Sequence, residues 1–233
     1  MRDTGERDAR VIVVCGLDFE AAIVSGMGAT AVRGPGPQRV ADGLDVLLGG
    51  QGARLRGWAG ILSFGCAGAT DPSLRPGDCL LASGVWSAAG TIAVDRAWSR
   101  ALRARLPEAR EGLLAGLDIP VATIEDKARL WQETGVCAVD MESHAAALAA
   151  RRHGLPFAAC RVVLDPARRS LPACALAAMR PDGDTDFPAL LRGLARAPHE
   201  AAALAALALD AWRARRALRC LCVRLGGALA PPR

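Results

Sequence analysis

The sequence predicts an α/β fold. Short apolar or β-branched runs, each closed by Gly or a polar residue, alternate with alanine-rich stretches of helical character. A single long amphipathic stretch follows them at the C-terminus. In order, Val11–Cys15 closed by Gly16 reads as a buried strand entering a turn, and Arg33–Gln38 (RGPGPQ) as a loop. Asp45–Leu48 before Gly49-Gly50 and Ile61–Phe64 before Gly65 repeat the strand pattern, as do Val136–Val139 before Asp140 and Phe157–Leu164 before Asp165-Pro166. Glu142–Arg152, opened by Asp-Met-Glu, reads as a helix whose first turn carries the acidic residues that a helix N-terminus favours. Leu204, Leu207, Ala211, Ala214, Leu218, Leu221 and Leu225 keep unbroken 3/4 spacing, with Arg213, Arg216 and Arg219 largely off that stripe. They predict one basic amphipathic helix near residues 200–225, either packed on the sheet or lying on an anionic membrane surface.

Composition narrows the class of protein. With 233 residues, 52% hydrophobic and 23% charged, the chain has the material for one core, so residues 11–233 read as a single domain behind a disordered tail at 1–10. No uncharged stretch is long enough to span a bilayer, and the charged start of the chain does not read as a secretory signal. A cytoplasmic protein is expected, in peripheral contact with a membrane if the C-terminal helix lies on one. The eight cysteines are scattered through apolar runs without a CxxC pair or a Cys/His cluster, so they read as free buried thiols and no metal site is expected. The net charge of +5 is local: residues 192–233 hold eight arginines against Glu200 and Asp210, which leaves the rest near neutral. Lys127 is the only lysine. Without aromatic interleaving or a known module, these arginines do not make a nucleic-acid partner.

In layered α/β folds ligands bind at the carboxyl ends of the strands, which directs attention to Gly16–Glu20, Gly65–Ala69, Asp140–Glu142 and Asp165. Each acid has a plain structural reading. Glu20 and Glu142 could simply open helices, and Asp165 before Pro166 could be a turn residue. Gathered at one sheet edge, they suit general acid–base work around a cationic transition state.

The succession Phe64-Gly65-Cys66-Ala67-Gly68-Ala69, Leu74-Arg75-Pro76-Gly77-Asp78, Ala138-Val139-Asp140-Met141-Glu142 and Arg161-Val162-Val163-Leu164-Asp165 resembles the purine nucleoside phosphorylase and methylthioadenosine/S-adenosylhomocysteine nucleosidase superfamily. Within it, VDMESHAAALAA (139–150) followed by GLPFAACRVVLDPA (154–167) is most similar to the hopanoid-associated phosphorylase branch. The resemblance implies a three-layer αβα sandwich around a mixed sheet, a homo-oligomer, and cleavage of the N-glycosidic bond between adenine and ribose without a cofactor. Asp165 would protonate the imidazole nitrogen of the purine. Glu142 would accept hydrogen bonds from the ribose hydroxyls, and Met141 would pack on the sugar. Glu20 would orient or deprotonate water, with Gly65, Cys66 and Ala67 near the nucleophile.

In the hopanoid branch the implied substrate is lipid-linked, adenosylhopane. A carboxylate at position 20 favours water over phosphate, because it repels an anion. The alternatives are phosphorolysis, with phosphate as co-substrate, and a non-catalytic nucleoside-binding protein. The sequence departs from the superfamily pattern at Cys66 and Leu164, where serine is usual, and at Arg168, in the place of a second acid. The helix expected between a Gly-x-Gly turn and the next strand is reduced to Ala53–Gly60, and the adenine-contacting segment is placed near Val121–Glu125.

Overall fold

The computed structural model describes residues 10–49, 57–180, 186–226 and 229–232. The expected tail therefore lies outside the described residues except for Arg10, which opens the first strand and stacks on the Trp58 ring. Among the described residues, eight strands form one mixed sheet: β1 (Arg10–Cys15), β2 (Thr30–Arg33), β3 (Trp58–Ala69), β4 (Cys79–Ser87), β5 (Gly90–Ala93), β6 (Arg110–Gly116), β7 (Val136–Asp140) and β8 (Phe157–Asp165). Strand β3 is the hub. It pairs in parallel with β1 along one side and with β8 along the other, while its last residues, Gly68 and Ala69, meet β7 antiparallel. Strand β8 continues antiparallel to β4, then β4–β6–β7 run parallel, so the sheet curls back onto the end of β3. That curl brings the carboxyl ends of β1, β3, β7 and β8 to one place.

Helices cover both faces, as the α/β expectation requires. Side chains alternate along β1: Ile12 and Val14 join α2 (Pro37–Leu48) and α5 (Ser143–His153), whereas Val11, Val13 and Cys15 join α1 (Asp18–Val24), α3 (Arg96–Arg105) and α8 (Ala201–Leu225). A small third cluster seats α4 (Ile124–Thr134) on β6 and β7 through Leu130, Leu113 and Val136. Two further helices, α6 (Ala173–Ala177) and α7 (Phe187–Arg196), pack on each other before the terminal helix.

Three expectations need correction. Asp45–Leu48 is not a strand but the last turn of α2, because Val40, Leu44 and Leu48 recur every fourth residue on the face buried against the sheet. The supposed loop Arg33–Gln38 is only a turn, Gly34–Gly36, with Arg33 ending β2 and Pro37 supplying a preset first helical residue. The helix thought to be cut down is therefore present as α2. Of Ala53–Gly60, residues 53–56 lie outside the described residues, and Trp58–Gly60 belong to β3. The C-terminal helix forms as expected, with Ala214, Leu218, Leu221, Cys222 and Leu225 in the core and Asp210 buried between Arg169 and Arg213.

Candidate active site

A cleft opens where those strands end, and Glu20, Cys66, Ala67, Met141, Glu142 and Asp165 all line it. Gly65 does not face the cleft. It lies behind, where a Cβ would stand 2.5 Å from Glu20 Oε2 and 2.7 Å from Arg161 Nη1, so no side chain fits between the two.

Glu20 sits in the first turn of α1 and reaches back, as a helix-opening glutamate does: its Oε2 accepts from Gly16 N (2.9 Å) and Leu17 N (3.0 Å). It also crosses to β3, where Oε1 accepts from Cys66 N at 2.7 Å. These bonds fix a fully buried carboxylate at the cleft floor. Burial pushes its pKa up, while Arg161 and these N–H donors oppose the rise. Burial and the facing Glu20 carboxylate hold the Cys66 thiol neutral, well above its ordinary range.

Arg161, on β8, organises the opposite wall. It is fully buried, with Nε 2.7 Å from Asp140 Oδ2, Nη2 donating to Ser63 Oγ (2.6 Å) and Ser143 Oγ (3.3 Å), and Nη1 donating to the Cys66 carbonyl (3.4 Å). Asp140 in turn accepts from Glu142 N (3.1 Å) and Ser143 N (2.9 Å), which caps α5 and turns Glu142 toward the cleft. Glu142 Oε1 accepts from Gly36 N at 3.1 Å, and Oε2 stands 3.6 Å from Arg161. Burial pushes Glu142 up to about 7, against Arg161 and with Asp140 and Glu20 adding to the rise. The site therefore stacks three acids around one guanidinium.

Asp165 closes the far side. Its Oδ1 lies over Gly68, where a Cβ would come within 2.7 Å of it, and its Oδ2 pairs with the Lys127 ammonium from α4. Burial raises its pKa from the ordinary carboxylate value, and Lys127 opposes the rise.

The outer wall is apolar: Pro35, Ile119, Pro120, Val121, Leu171 and Met179. Ile119 is 73% exposed and Met179 53% exposed, so this apolar surface runs out of the cleft onto the rim. Of the segment expected to meet adenine, only Val121 lines the cleft; Thr123 instead caps α4 and Glu125 is exposed. Four carboxylates and no lysine or arginine line the cleft among the described residues. Arg33, the nearest arginine downstream of Glu20 in sequence, pairs with Asp18 at 2.6 Å on the surface. No three His, Cys, Asp or Glu side chains among the described residues are grouped to hold a metal ion.

Sequence reasoning assigned no role to Arg161, Asp140 or Lys127. The signals were present: a charged residue in the apolar run Phe157–Leu164 has to be paired if it is buried, and a lone lysine stands out in an arginine-rich chain.

A curled mixed sheet with buried carboxylates at its strand ends and helices on both faces is the architecture of the nucleoside phosphorylases and nucleosidases. Residues 21–180 match the profile of the phosphorylase superfamily. The chain belongs to that superfamily of enzymes. No curated protein matches it. Among solved structures it is similar to the 5′-methylthioadenosine/S-adenosylhomocysteine nucleosidase of S. pneumoniae, solved with a transition-state inhibitor (TM-score 0.67, 16% identity, 94% of this chain and 99% of that one). It is similar also to the futalosine hydrolase of Helicobacter pylori (TM-score 0.63, 16% identity, 94% and 99%). A third is the nucleosidase of Colwellia psychrerythraea in complex with adenine (TM-score 0.63, 17% identity, 96% and 98%). At such identities the likeness establishes the fold.

Proposed function

We propose that this enzyme hydrolyses the N-glycosidic bond of an adenine nucleoside bearing an apolar 5′ substituent, adenosylhopane being the substrate its sequence motifs imply. The observation that carries this reading is the cleft itself, whose polar groups are carboxylates and whose rim is apolar. Asp165 Oδ1 delivers a proton to the imidazole nitrogen of the purine as the C1′–N9 bond breaks, and the bonding pair leaves with neutral adenine. Glu142 accepts hydrogen bonds from the ribose hydroxyls, which strengthen as the sugar gains positive charge. Met141 packs beside the sugar. Glu20, whose Oε1 takes one backbone N–H where Oε2 takes two, holds a water for attack on C1′ and takes its proton, so one water is consumed for each adenine released. A lining with four carboxylates and no cation favours water over a phosphate anion.

The apolar rim formed by Ile119 and Met179 suits a hydrocarbon 5′ group. Adenine release from adenosylhopane, methylthioadenosine, S-adenosylhomocysteine and adenosine, each with and without phosphate, tests the assignment. The expected result is preference for the hopane and indifference to phosphate. Equal turnover of all four contradicts the rim argument, and strict phosphate dependence contradicts the role given to Glu20.

The terminal helix supports peripheral contact with a membrane. No helix among the described residues is long and apolar enough to cross one. On the outer face of α8, however, Leu209, Trp212, Arg216, Arg219 and Val223 recur at 3/4 spacing, with Trp212 57% and Val223 82% exposed. Arg216 stacks on Trp212 with its guanidinium 5.8 Å from the ring centre, an arrangement of apolar body and basic head that suits an anionic interface. Deleting the helix would strip Leu218, Leu221 and Leu225 from the core, so the test uses outward residues alone. Flotation with anionic vesicles is expected to recover the wild type and to lose a W212S/V223S variant and an R216E/R219E variant. Equal recovery of all three contradicts membrane contact.

A further inference from the structure

Lys127 is wholly buried on α4 and does not line the cleft. Its ammonium donates to Asp165 Oδ2, to the Pro166 carbonyl (3.2 Å) and to the Arg169 carbonyl (2.7 Å). Three acceptors for three donors satisfy the group completely. The pocket offers one carboxylate and two carbonyls converging on a point, which fits a compact ammonium and not the planar fork of a guanidinium. This accounts for the single lysine in a chain whose other basic residues are arginines. The carboxyl is held from behind: Oδ2 is clamped, and Oδ1 is left over Gly68 at the cleft.

We infer that Lys127 is a positioning residue for Asp165, fixing Oδ2 so that Oδ1 faces the leaving group and compensating the charge that appears on the carboxylate when its proton departs. The inference rests on the nucleosidase reading above. Burial makes Asp165 a weak acid, and Asp210 adds to this, while Lys127 opposes it. The remaining charges around the site are already engaged. Asp210 on α8 is paired with Arg169 and Arg213, and Glu20 and Glu142 on the far wall share Arg161. Lys127 is thus the cation that bears on Asp165 directly.

The test compares wild type, Lys127→Met and Lys127→Arg across pH, with adenosylhopane and with p-nitrophenyl riboside, whose nitrophenolate leaves without being protonated. Lys127→Met is expected to lower kcat for adenine release by about 10- to 100-fold. It should also move the alkaline limb of the pH profile upward, because Asp165 without its cation keeps its proton to higher pH. The acid limb, set by ionisation of Glu20 and Glu142 beside Arg161, should stay in place. Cleavage of the nitrophenyl riboside should be nearly spared, and Lys127→Arg should keep the wild-type alkaline limb at a reduced kcat. Parallel loss on both substrates, or a slower enzyme with an unmoved alkaline limb, overturns the inference. If the Met variant does not fold, Lys127→Gln, which keeps donors to the carbonyls but no charge, carries the same expectations. A wild type inactive on both substrates sinks the nucleosidase reading and this inference with it; an active wild type with an unaltered Met variant sinks this inference alone.

Discussion

Asp165→Asn should abolish most adenine release, by about 10²- to 10⁴-fold in kcat, with little change in nucleoside binding. The amide keeps the size of the carboxyl and still offers an oxygen to the Lys127 ammonium, so β8 and the clamp behind it should survive. What disappears is the transferable proton over Gly68 at the cleft. Burial holds the wild-type carboxyl above its ordinary range, which suits a group that must carry a proton into the reaction. Steady-state kinetics together with equilibrium binding of an unreactive nucleoside analogue separate the two effects. A variant that keeps more than a tenth of the wild-type kcat removes Asp165 from the role of general acid.

Arg161→Met should cost about 3–5 kcal/mol of stability, because the carboxylates around it have no second cation among the described residues. Asp140 lies 2.7 Å from its Nε, Glu142 Oε2 lies 3.6 Å from its Nη2, and Glu20 also feels its charge. With the guanidinium gone, these carboxyls can stay buried only by taking up protons. The folded-state pKa values of Glu20 and Glu142, already raised, then rise further above the unfolded values. An acid with a raised folded-state pKa destabilises the fold at pH above its unfolded pKa and is relieved as pH falls. The deficit should therefore be largest at neutral pH and smaller near about pH 5, which urea unfolding at the two values would show. A deficit that is constant with pH would assign the loss to packing alone.

Most of the fold was legible because strand ends in this chain are marked by Gly or an acid. Val11–Cys15, Ile61–Phe64, Val136–Val139 and Phe157–Leu164 all lie within observed strands, and the long 3/4 stripe became α8. The misreading of Asp45–Leu48 has a clear physical origin. Four residues of Asp-Val-Leu-Leu carry too little periodicity to tell a strand from the end of a helix, and the decisive partners, Val40 and Leu44, lie upstream. That error also hid α2 and moved the Gly-x-Gly turn from Gly34–Gly36, whose last N–H binds Glu142, to Gly50–Gly52.

Each acid could be placed at the cleft from its position at a strand end, but the cations that govern them could not. Lys127 approaches Asp165 from a helix 38 residues earlier, and Arg161 meets Asp140 only because β8 and β7 flank the same end of β3. Such pairings depend on the curl of the sheet, which local sequence does not encode.

Water is expected to displace adenine from C1′ in this cleft. Incubating the enzyme with adenosylhopane in ¹⁸O-labelled water, with and without phosphate, and analysing both products checks this displacement. Free adenine and one ¹⁸O atom at C1 of the ribosyl product are expected in both conditions. A ribosyl 1-phosphate formed only with phosphate, or no adenine at all, would contradict it.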